Sequence, residues 1–474
     1  MIRQARVKYD YMDIRISTDG PIQSGTTIKI TGSKSETNRL LLLQALYPGI
    51  SIQNISESDD SIAMQSALAS TDAVVDIHHA GTAMRFLTAY FAQQEGRSVV
   101  LTGSQRMKER PIGVLVDALR SLGADISYTE NEGYPPLKIN GKKLAGGKAA
   151  IQANVSSQYI TALLLIASKL ENGLELTLEG ELTSIPYINM TLGLLNELGI
   201  ENSFEGNVIK VKSQITNHKS QTERESDSQS GMSEAQSDPR LKAELAKQIL
   251  SEAESRTGEA ILKSEITVES DWSSASYFYS IIALSPVGTA ITLSSYKQNS
   301  LQGDSALAEI YSEFGVETVF SDNEITLTKL NSELQTINLQ LNNTPDIAQT
   351  IAVTCFGLGI GCHLTGLHTL KIKETDRLEA LKTELGKFGA AITVTNDSLT
   401  LEPHTLFCLT PNPSPLDGLV EVTIATYNDH RMAMAFAPLA IKTAFTVNNA
   451  EVVSKSFPTF WEDMAALGFI VSEL

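Results

Sequence analysis

Cysteine is nearly absent from this chain: Cys355, Cys362 and Cys408 are the only three among 474 residues. So few cannot build a disulfide framework, which suits a reducing compartment. Cys355 and Cys362 sit in the apolar run from Ile351 to Leu364, where core packing is their expected role. Positive charge is also in deficit. With 37 Lys and Arg against 55 Asp and Glu, the formal charge of −18 excludes a general affinity for nucleic acid or an anionic membrane, either of which needs a basic face. A small anionic ligand is still compatible with it. No apolar run reaches membrane-spanning length without polar interruption, and Met1 to Asp10 lacks the apolar centre of a signal peptide, so a cytoplasmic enzyme is expected. The 7 histidines, among them His78, His79, His363, His368 and His430, give no HxxxH pair on a clear helix and no Cys/His cluster with zinc spacing. No metal site is expected.

What is present is a rhythm. Six short polar clusters open directly into runs of small apolar residues: Gly32-Ser33-Lys34-Ser35, Gly81-Thr82, Ser156-Ser157-Gln158, Asp271-Trp272-Ser273-Ser274, Pro345-Asp346 and Asn428-Asp429-His430-Arg431. Ser, Thr, Asp and Asn ahead of an apolar periodic run are N-cap chemistry, so each cluster predicts the start of a largely buried helix. Helix starts attract anions, because free N–H groups and the positive dipole end both point there. If several converge on one cleft, the ligand carries more than one negative charge. Lys34, Arg39, Arg85, Arg110, Lys373, Arg377, Arg431 and Lys455 all lie at or beside these starts.

A second unit recurs: a helix ending in Leu or Phe, then Gly, then a strand-like stretch. Its copies are Leu122-Gly123, Leu198-Gly199, Phe314-Gly315, Phe388-Gly389 and Leu467-Gly468, glycine supplying the left-handed residue that ends the helix. Such repetition predicts a supersecondary unit used several times in a chain long enough for two domains. From about Gln214 to Glu259 the composition changes to Ser, Gln, Glu and Lys, which marks a surface insertion, disordered at first and partly helical from Leu241 to Ala260. Without it, three of the six polar clusters stand on each side.

Gly32-Ser33-Lys34-Ser35-Glu36-Thr37-Asn38-Arg39 is the strongest local signal. Its glycine permits close backbone approach and its lysine and arginine bring charge to one helix start, but the spacing is not that of a nucleotide-binding phosphate loop. In Arg106-Met107-Lys108-Glu109-Arg110-Pro111, proline at the first helical position fixes where Arg110 projects. Arginine grips carboxylate or phosphate with paired bonds, whereas lysine acts as a point charge. Lys373-Glu374-Thr375-Asp376-Arg377 sets Lys373 and Arg377 four apart on one face.

These segments, with Ala80-Gly81-Thr82-Ala83-Met84-Arg85, Val155-Ser156-Ser157-Gln158-Tyr159 and Asn428-Asp429-His430-Arg431-Met432-Ala433-Met434, resemble in order those of the 5-enolpyruvylshikimate-3-phosphate synthases, and the likeness spans nearly the whole chain outside the insertion. The resemblance implies an α/β, two-lobed enolpyruvyl-transferase fold, each lobe three βαβαββ units around a pseudo-threefold. The lobes would be residues 1–31 with 266–474, and 32–265 including the insertion at about 214–259, the chain crossing between them twice. It implies transfer of the enolpyruvyl group of phosphoenolpyruvate to the 5-hydroxyl of shikimate 3-phosphate in aromatic amino-acid biosynthesis, with no metal or organic cofactor and no nucleic-acid or membrane partner. A monomer is expected.

Carried over by motif, shikimate 3-phosphate would meet Lys34, Ser35, Arg39, Ser156, Ser157, Gln158, Ser184, Asp346 and Lys373, with Tyr187 packed beside it. Phosphoenolpyruvate would be held by Lys34, Gly81, Arg110, Gln158, Arg377, Arg431 and Lys455. Asp346 resembles the proton acceptor, and Glu374 and Lys34 are alternative proton donors to the methylene carbon. His79, Phe86 and Thr369 depart from the usual residues of the family and bear on the local shape near Gly81 and the shikimate side. Two other readings compete. The sister transferase acting on UDP-N-acetylglucosamine usually carries a reactive cysteine in its first catalytic lobe, and here none precedes Cys355; a silent anion-binding scaffold would lose the charged set, which is complete.

Overall fold

The computed structural model describes residues 12–153, 156–180, 182, 185–215, 265–331, 333–405 and 422–474. Almost all of the 214–259 insertion, together with Val155, Ser184 and Cys408, lies outside the described residues.

All six polar clusters open helices. Ser33, Ser156, Asp271 and Asp429 are the N-cap residues of Lys34–Leu46, Ser157–Ala167, Trp272–Leu284 and His430–Phe436, each accepting a backbone N–H of the first turn on its side-chain oxygen. Pro345–Ile347 is a 3-10 turn that runs into Ala348–Leu358. Gly81–Ala92 differs, because the residue before it is Ala80 and no side chain caps it. Gly123, Gly199, Gly315, Gly389 and Gly468 have φ of 101°, 78°, 73°, 90° and 96°, as the helix–glycine–strand pattern requires.

Five four-stranded sheets and one two-stranded sheet form among the described residues. Every four-stranded sheet repeats one pairing sequence, a parallel pair followed by two antiparallel pairs. In one, Val74–Asp76 runs parallel to Ser98–Thr102, which pairs antiparallel with Leu137–Asn140 and that with Asp125–Tyr128. In another, Ile337–Gln340, Cys362–Thr365, Ser398–Leu401 and Ile392–Val394 follow the same rule. In these two sheets a helix, Gly81–Ala92 or Ala348–Leu358, links the parallel strands, and a short connection joins the last antiparallel pair. The N-terminal strand Ile14–Thr18 completes the last such sheet, between Phe445–Asn448 and Phe469–Glu473.

Buried apolar side chains form two clusters. One unites Ile14 to Ile30 with Trp272 to Phe469, the other Leu40 to Ile209 and Val211 with Ile266 and Val268. The helices that open from the polar clusters are the centre of both, since Leu163, Leu164, Phe278 and Phe356 are fully buried. Apolar residues all around a helix, rather than on one stripe, are what such a central position demands.

The chain passes between the clusters at two adjacent places. Gly32 bridges Ser270, and the Ser33 N–H donates to the Glu269 carbonyl at 2.7 Å. Any side chain on Gly32 would overlap the Asn54 carbonyl, so the close approach requires glycine. Beside it the buried Glu269 carboxylate accepts from Trp272 Nε1 at 2.7 Å, the Lys297 N–H at 2.9 Å and Ser300 Oγ at 2.7 Å. This network anchors the start of Trp272–Leu284 to the crossing, and the helix starts of both clusters lie on either side of it.

Candidate active site

The helix start at Ser33 brings Lys34 to 4.0 Å from Asp60 Oδ2. Asp60 follows the N-cap Ser58 of Asp59–Ala69 and is itself buried. Burial raises its pKa, while Lys34, His79 and Arg110 draw it back, so these three cations or potential cations face one carboxyl group. Ser35 points its carbonyl to Arg39 Nη1 at 2.6 Å. The remaining bonds of Arg39 go to Thr191 Oγ1 at 2.9 Å, Thr161 Oγ1 at 3.3 Å and the Tyr187 carbonyl at 3.2 Å. This guanidinium is buried and ties three helices together.

Arg110 lies against Gly81, where an added Cβ would sit 2.5 Å from Nη1. The guanidinium therefore packs against the Cα of Gly81 at an uncapped helix start, a place an anion would share. Gln158 Nε2 donates to Thr82 Oγ1 at 3.2 Å, and the Gln158 N–H donates to Ser156 Oγ at 3.3 Å, which joins a second helix start to the first. Ser157 opens that helix. Arg85 points inward instead, donating to the Gly81 carbonyl at 3.1 Å and the Pro111 carbonyl at 3.4 Å. It shapes the Gly81 turn from below.

Opposite these groups stands a cluster built around Asp346. Arg377 Nη1 lies 2.9 Å and Lys373 Nζ 3.5 Å from Asp346 Oδ1, and Arg431 Nη2 lies 3.3 Å from Oδ2. Burial pulls the Asp346 pKa upward, yet Lys373, Arg431, Arg377 and Lys34 together outweigh it and hold the group well below the usual carboxylate range. Arg377 is 2% exposed and spends its other nitrogens on Asp429 Oδ2 at 2.6 Å and Glu374 Oε2 at 2.8 Å. Desolvation would raise Glu374, but Arg377 and Lys373 outweigh it and lower the group, so it is a carboxylate at neutral pH. Arg431 also reaches the Asp346 carbonyl at 3.1 Å and Ser273 Oγ at 3.3 Å, linking the helix starts at Asp271, Pro345 and Asp429. Lys455 Nζ donates to the Asn428 carbonyl at 2.7 Å.

The two groups face each other. Tyr187 Oη is 3.4 Å from Asp346 Oδ2, and Ser454 Oγ is 2.9 Å from Asp59 Oδ2. Lys34 acts on both Asp346 and His430. The cleft thus draws cations from both apolar clusters and helix starts from both.

Some groups in it were not singled out from sequence. Asp60 has a signal, an acidic pair after Ser58 at a helix start, but an acid there reads equally as dipole complement. Nothing in the sequence sets His430 apart from the other histidines. Both its ring nitrogens are buried without a hydrogen-bond partner among the described residues, and burial with nearby Lys34 and Arg431 keeps it neutral. Asp304, bonded to Ser273 Oγ, is pushed up to about 7 by burial and by Asp346. Thr369, which the sequence already marks, also has its Oγ1 buried and unpartnered among the described residues. No group of three or more His, Cys, Asp or Glu among them is placed to hold a metal ion, and no described helix is long and apolar enough to cross a membrane.

A cleft that gathers Lys34, Arg110, Lys373, Arg377, Arg431 and Lys455 around helix starts, with one ionised aspartate among them, defines a protein for small polyanionic substrates. The family model of EPSP synthase (3-phosphoshikimate 1-carboxyvinyltransferase) matches residues 63–231 and 242–464. A 3-phosphoshikimate 1-carboxyvinyltransferase of Bacteroides fragilis is 40% identical over 458 residues, covering 96% of this chain and 98% of that protein. One of Haemophilus influenzae is 34% identical, covering 92% and 95%. The solved EPSP synthase of Acinetobacter baumannii superposes with a TM-score of 0.71 over 97% of this chain and all of its own, at 20% identity, a likeness of fold. The chain belongs to the EPSP synthase family.

Proposed function

We propose that the cleft transfers the enolpyruvyl group of phosphoenolpyruvate to the 5-hydroxyl of shikimate 3-phosphate, releasing phosphate, as a 3-phosphoshikimate 1-carboxyvinyltransferase in aromatic amino-acid biosynthesis. The observation that carries the assignment of roles is the position of Asp346, ionised, between Tyr187 of one cluster and Lys373, Arg377 and Arg431 of the other.

Both substrates are phosphorylated carboxylates, so each brings two anionic groups to a cleft rich in cations. Shikimate 3-phosphate takes the side of Lys34, Ser35, Ser156, Ser157, Gln158, Lys373 and Asp346, with Ser184 completing it by motif. Tyr187 supports it, and Arg39 serves by fixing the Ser35 carbonyl and Tyr187. Phosphoenolpyruvate takes the side of Lys34, Gly81, Arg110, Gln158, Arg377, Arg431 and Lys455. The two hydrophobic clusters act as lobes that close over both ligands, excluding water and strengthening every ionic contact inside.

Asp346 accepts the proton of the 5-hydroxyl as its oxygen attacks the substituted carbon of the vinyl group, and a proton is delivered to the methylene carbon. The vinyl group reappears in the product, so that added proton must leave when phosphate departs. Cations fixed before the reaction meet the charge on the departing phosphate without reorganising. Lys34 carries an ammonium proton on the substrate side, whereas Glu374 is ionised in the free cleft by Arg377 and Lys373 and needs the substrates' negative charge before it can hold a proton.

Phosphate release by the purified protein, measured with each substrate alone and with both, tests the reading. Release only in the presence of both is expected. Turnover with UDP-N-acetylglucosamine in place of shikimate 3-phosphate would contradict it.

A further inference from the structure

We infer that Glu384 is a positioning residue for the phosphoenolpyruvate end of the site, acting through the backbone of residues 425–429; the inference rests on the roles of Arg377 and Lys455 proposed above. Glu384 lies seven residues after Arg377 in helix Arg377–Lys387, and that spacing puts the two on the same helix face. They grip the same short segment at its two ends. Arg377 holds Asp429 through Nε at 2.6 Å and Nη2 at 3.4 Å. The Glu384 carboxylate, fully buried, accepts the Ala425 N–H at 3.1 Å and the Tyr427 hydroxyl at 2.7 Å. Lys387 Nζ closes the cluster, donating to Glu384 Oε2 at 2.6 Å and to the Thr423 carbonyl at 2.9 Å.

Between the two grips the backbone adopts a conformation it would not choose. Tyr427 and Asn428 have φ of 54° and 55°, two consecutive non-glycine residues in the left-handed region. Such geometry persists only where the surroundings over-determine it. The outcome of the bend is functional. It turns the Asn428 carbonyl to Lys455 Nζ at 2.7 Å and delivers Asp429 both as N-cap of the helix bearing Arg431 and as partner of Arg377. Three cations assigned to phosphoenolpyruvate are therefore placed by one strained turn. Glu384 holds the end of that turn remote from Arg377 without itself facing the cleft.

The test compares Glu384→Ala, Glu384→Gln and Tyr427→Phe with the wild type in steady-state kinetics for each substrate, in shikimate 3-phosphate binding without phosphoenolpyruvate, and in thermal unfolding. Glu384→Ala is expected to lower kcat/KM for phosphoenolpyruvate by about 10- to 100-fold, the scale of a displacement near 1 Å. The dissociation constant for shikimate 3-phosphate should stay within about twofold, and the glutamine variant, whose amide oxygen still accepts one donor, should recover part of the loss. Tyr427→Phe removes one hydroxyl, folds regardless, and should move the same parameter by a few-fold, about the worth of one hydrogen bond. Unchanged phosphoenolpyruvate kinetics in Glu384→Ala, or losses shared equally by both substrates in step with lost thermal stability, would overturn the inference. A wild type without turnover would overturn the functional reading beneath it, whereas an active wild type beside an unaffected Glu384→Ala overturns this inference alone.

Discussion

The Tyr187 hydroxyl stands 3.4 Å from Asp346 Oδ2, an approach between the two halves of the fold whose apolar cores are separate. Tyr187 is half-buried and its pKa is raised well above that of a free phenol by desolvation and by Asp346, so it meets the carboxylate as a neutral donor. Asp346 is thereby oriented from one side by a hydroxyl and from the other by three cations.

Asp346→Asn keeps the shape of that arrangement and removes its base. We expect kcat to fall by about 10²-fold or more, the usual contribution of a placed general base, with shikimate 3-phosphate binding retained. Because its cations hold the Asp346 pKa well below the ordinary value, no acid limb from this group should enter the wild-type kcat/KM profile between about pH 5 and 8. A titration of activity in that interval that disappears in the asparagine variant would refute the lowered pKa of Asp346.

Stability should depend on pH through Glu36. Burial raises its pKa from 4.5 to about 8, with Lys297 opposing and Glu269 adding to the rise. The folded form thus binds a proton that the unfolded chain has lost, and stability should decline as pH increases from about 4.5 to about 8, then level off. Glu36→Gln should flatten that decline, raising the melting temperature at pH 8.5 and leaving it nearly unchanged at pH 4. Equal effects at both pH values would count against the buried, protonated carboxyl.

Gly81→Ala places a methyl group 2.5 Å from the present position of Arg110 Nη1, too close for both to stay. The guanidinium has to move from the helix start, so KM for phosphoenolpyruvate should rise at least several-fold while shikimate 3-phosphate affinity changes little. Parallel losses for both substrates would mean that Arg110 is not confined to the phosphoenolpyruvate side.

Ser454 and Asp59 bridge the two clusters away from the reacting groups, at 2.9 Å. Ser454→Ala removes one closing hydrogen bond, worth about 0.5–1.5 kcal/mol, so KM for both substrates should increase by about 2- to 10-fold with the melting temperature nearly unaltered. An unchanged KM would show that closure does not use this contact.

Local chemistry made much of this legible in the sequence. Ser33, Ser156, Asp271 and Asp429 cap their helices, and Gly123 and Gly468 end theirs with positive φ, because capping and left-handed glycine depend on neighbours in the chain. Pattern failed where partners are distant. Arg39 and Arg85 share the helix-start position of Lys34, yet their guanidinium groups are turned inward to protein acceptors, a choice decided by Thr161, Thr191 and Pro111 from other elements. Asp60, His430 and Glu384 were hidden for the same reason: an acid in a first turn, a histidine after an N-cap and a glutamate late in a helix look ordinary until the fold shows what faces them. Ala80 before Gly81 offers no cap at all, so the helix predicted from Gly81-Thr82 begins there without the capping bond that the pattern implies.

The central claim is that each half of the fold contributes cations to one phosphoenolpyruvate molecule. Equilibrium binding of phosphoenolpyruvate in the presence of saturating shikimate 3-phosphate, compared among wild type, Arg110→Met and Lys455→Met, tests it most directly, since these side chains come from opposite clusters. Both variants should bind at least about 10-fold more weakly, the loss of one charge-assisted contact of about 1.5–3 kcal/mol. Wild-type affinity in either variant would mean that only one half holds this substrate, and the account would fail.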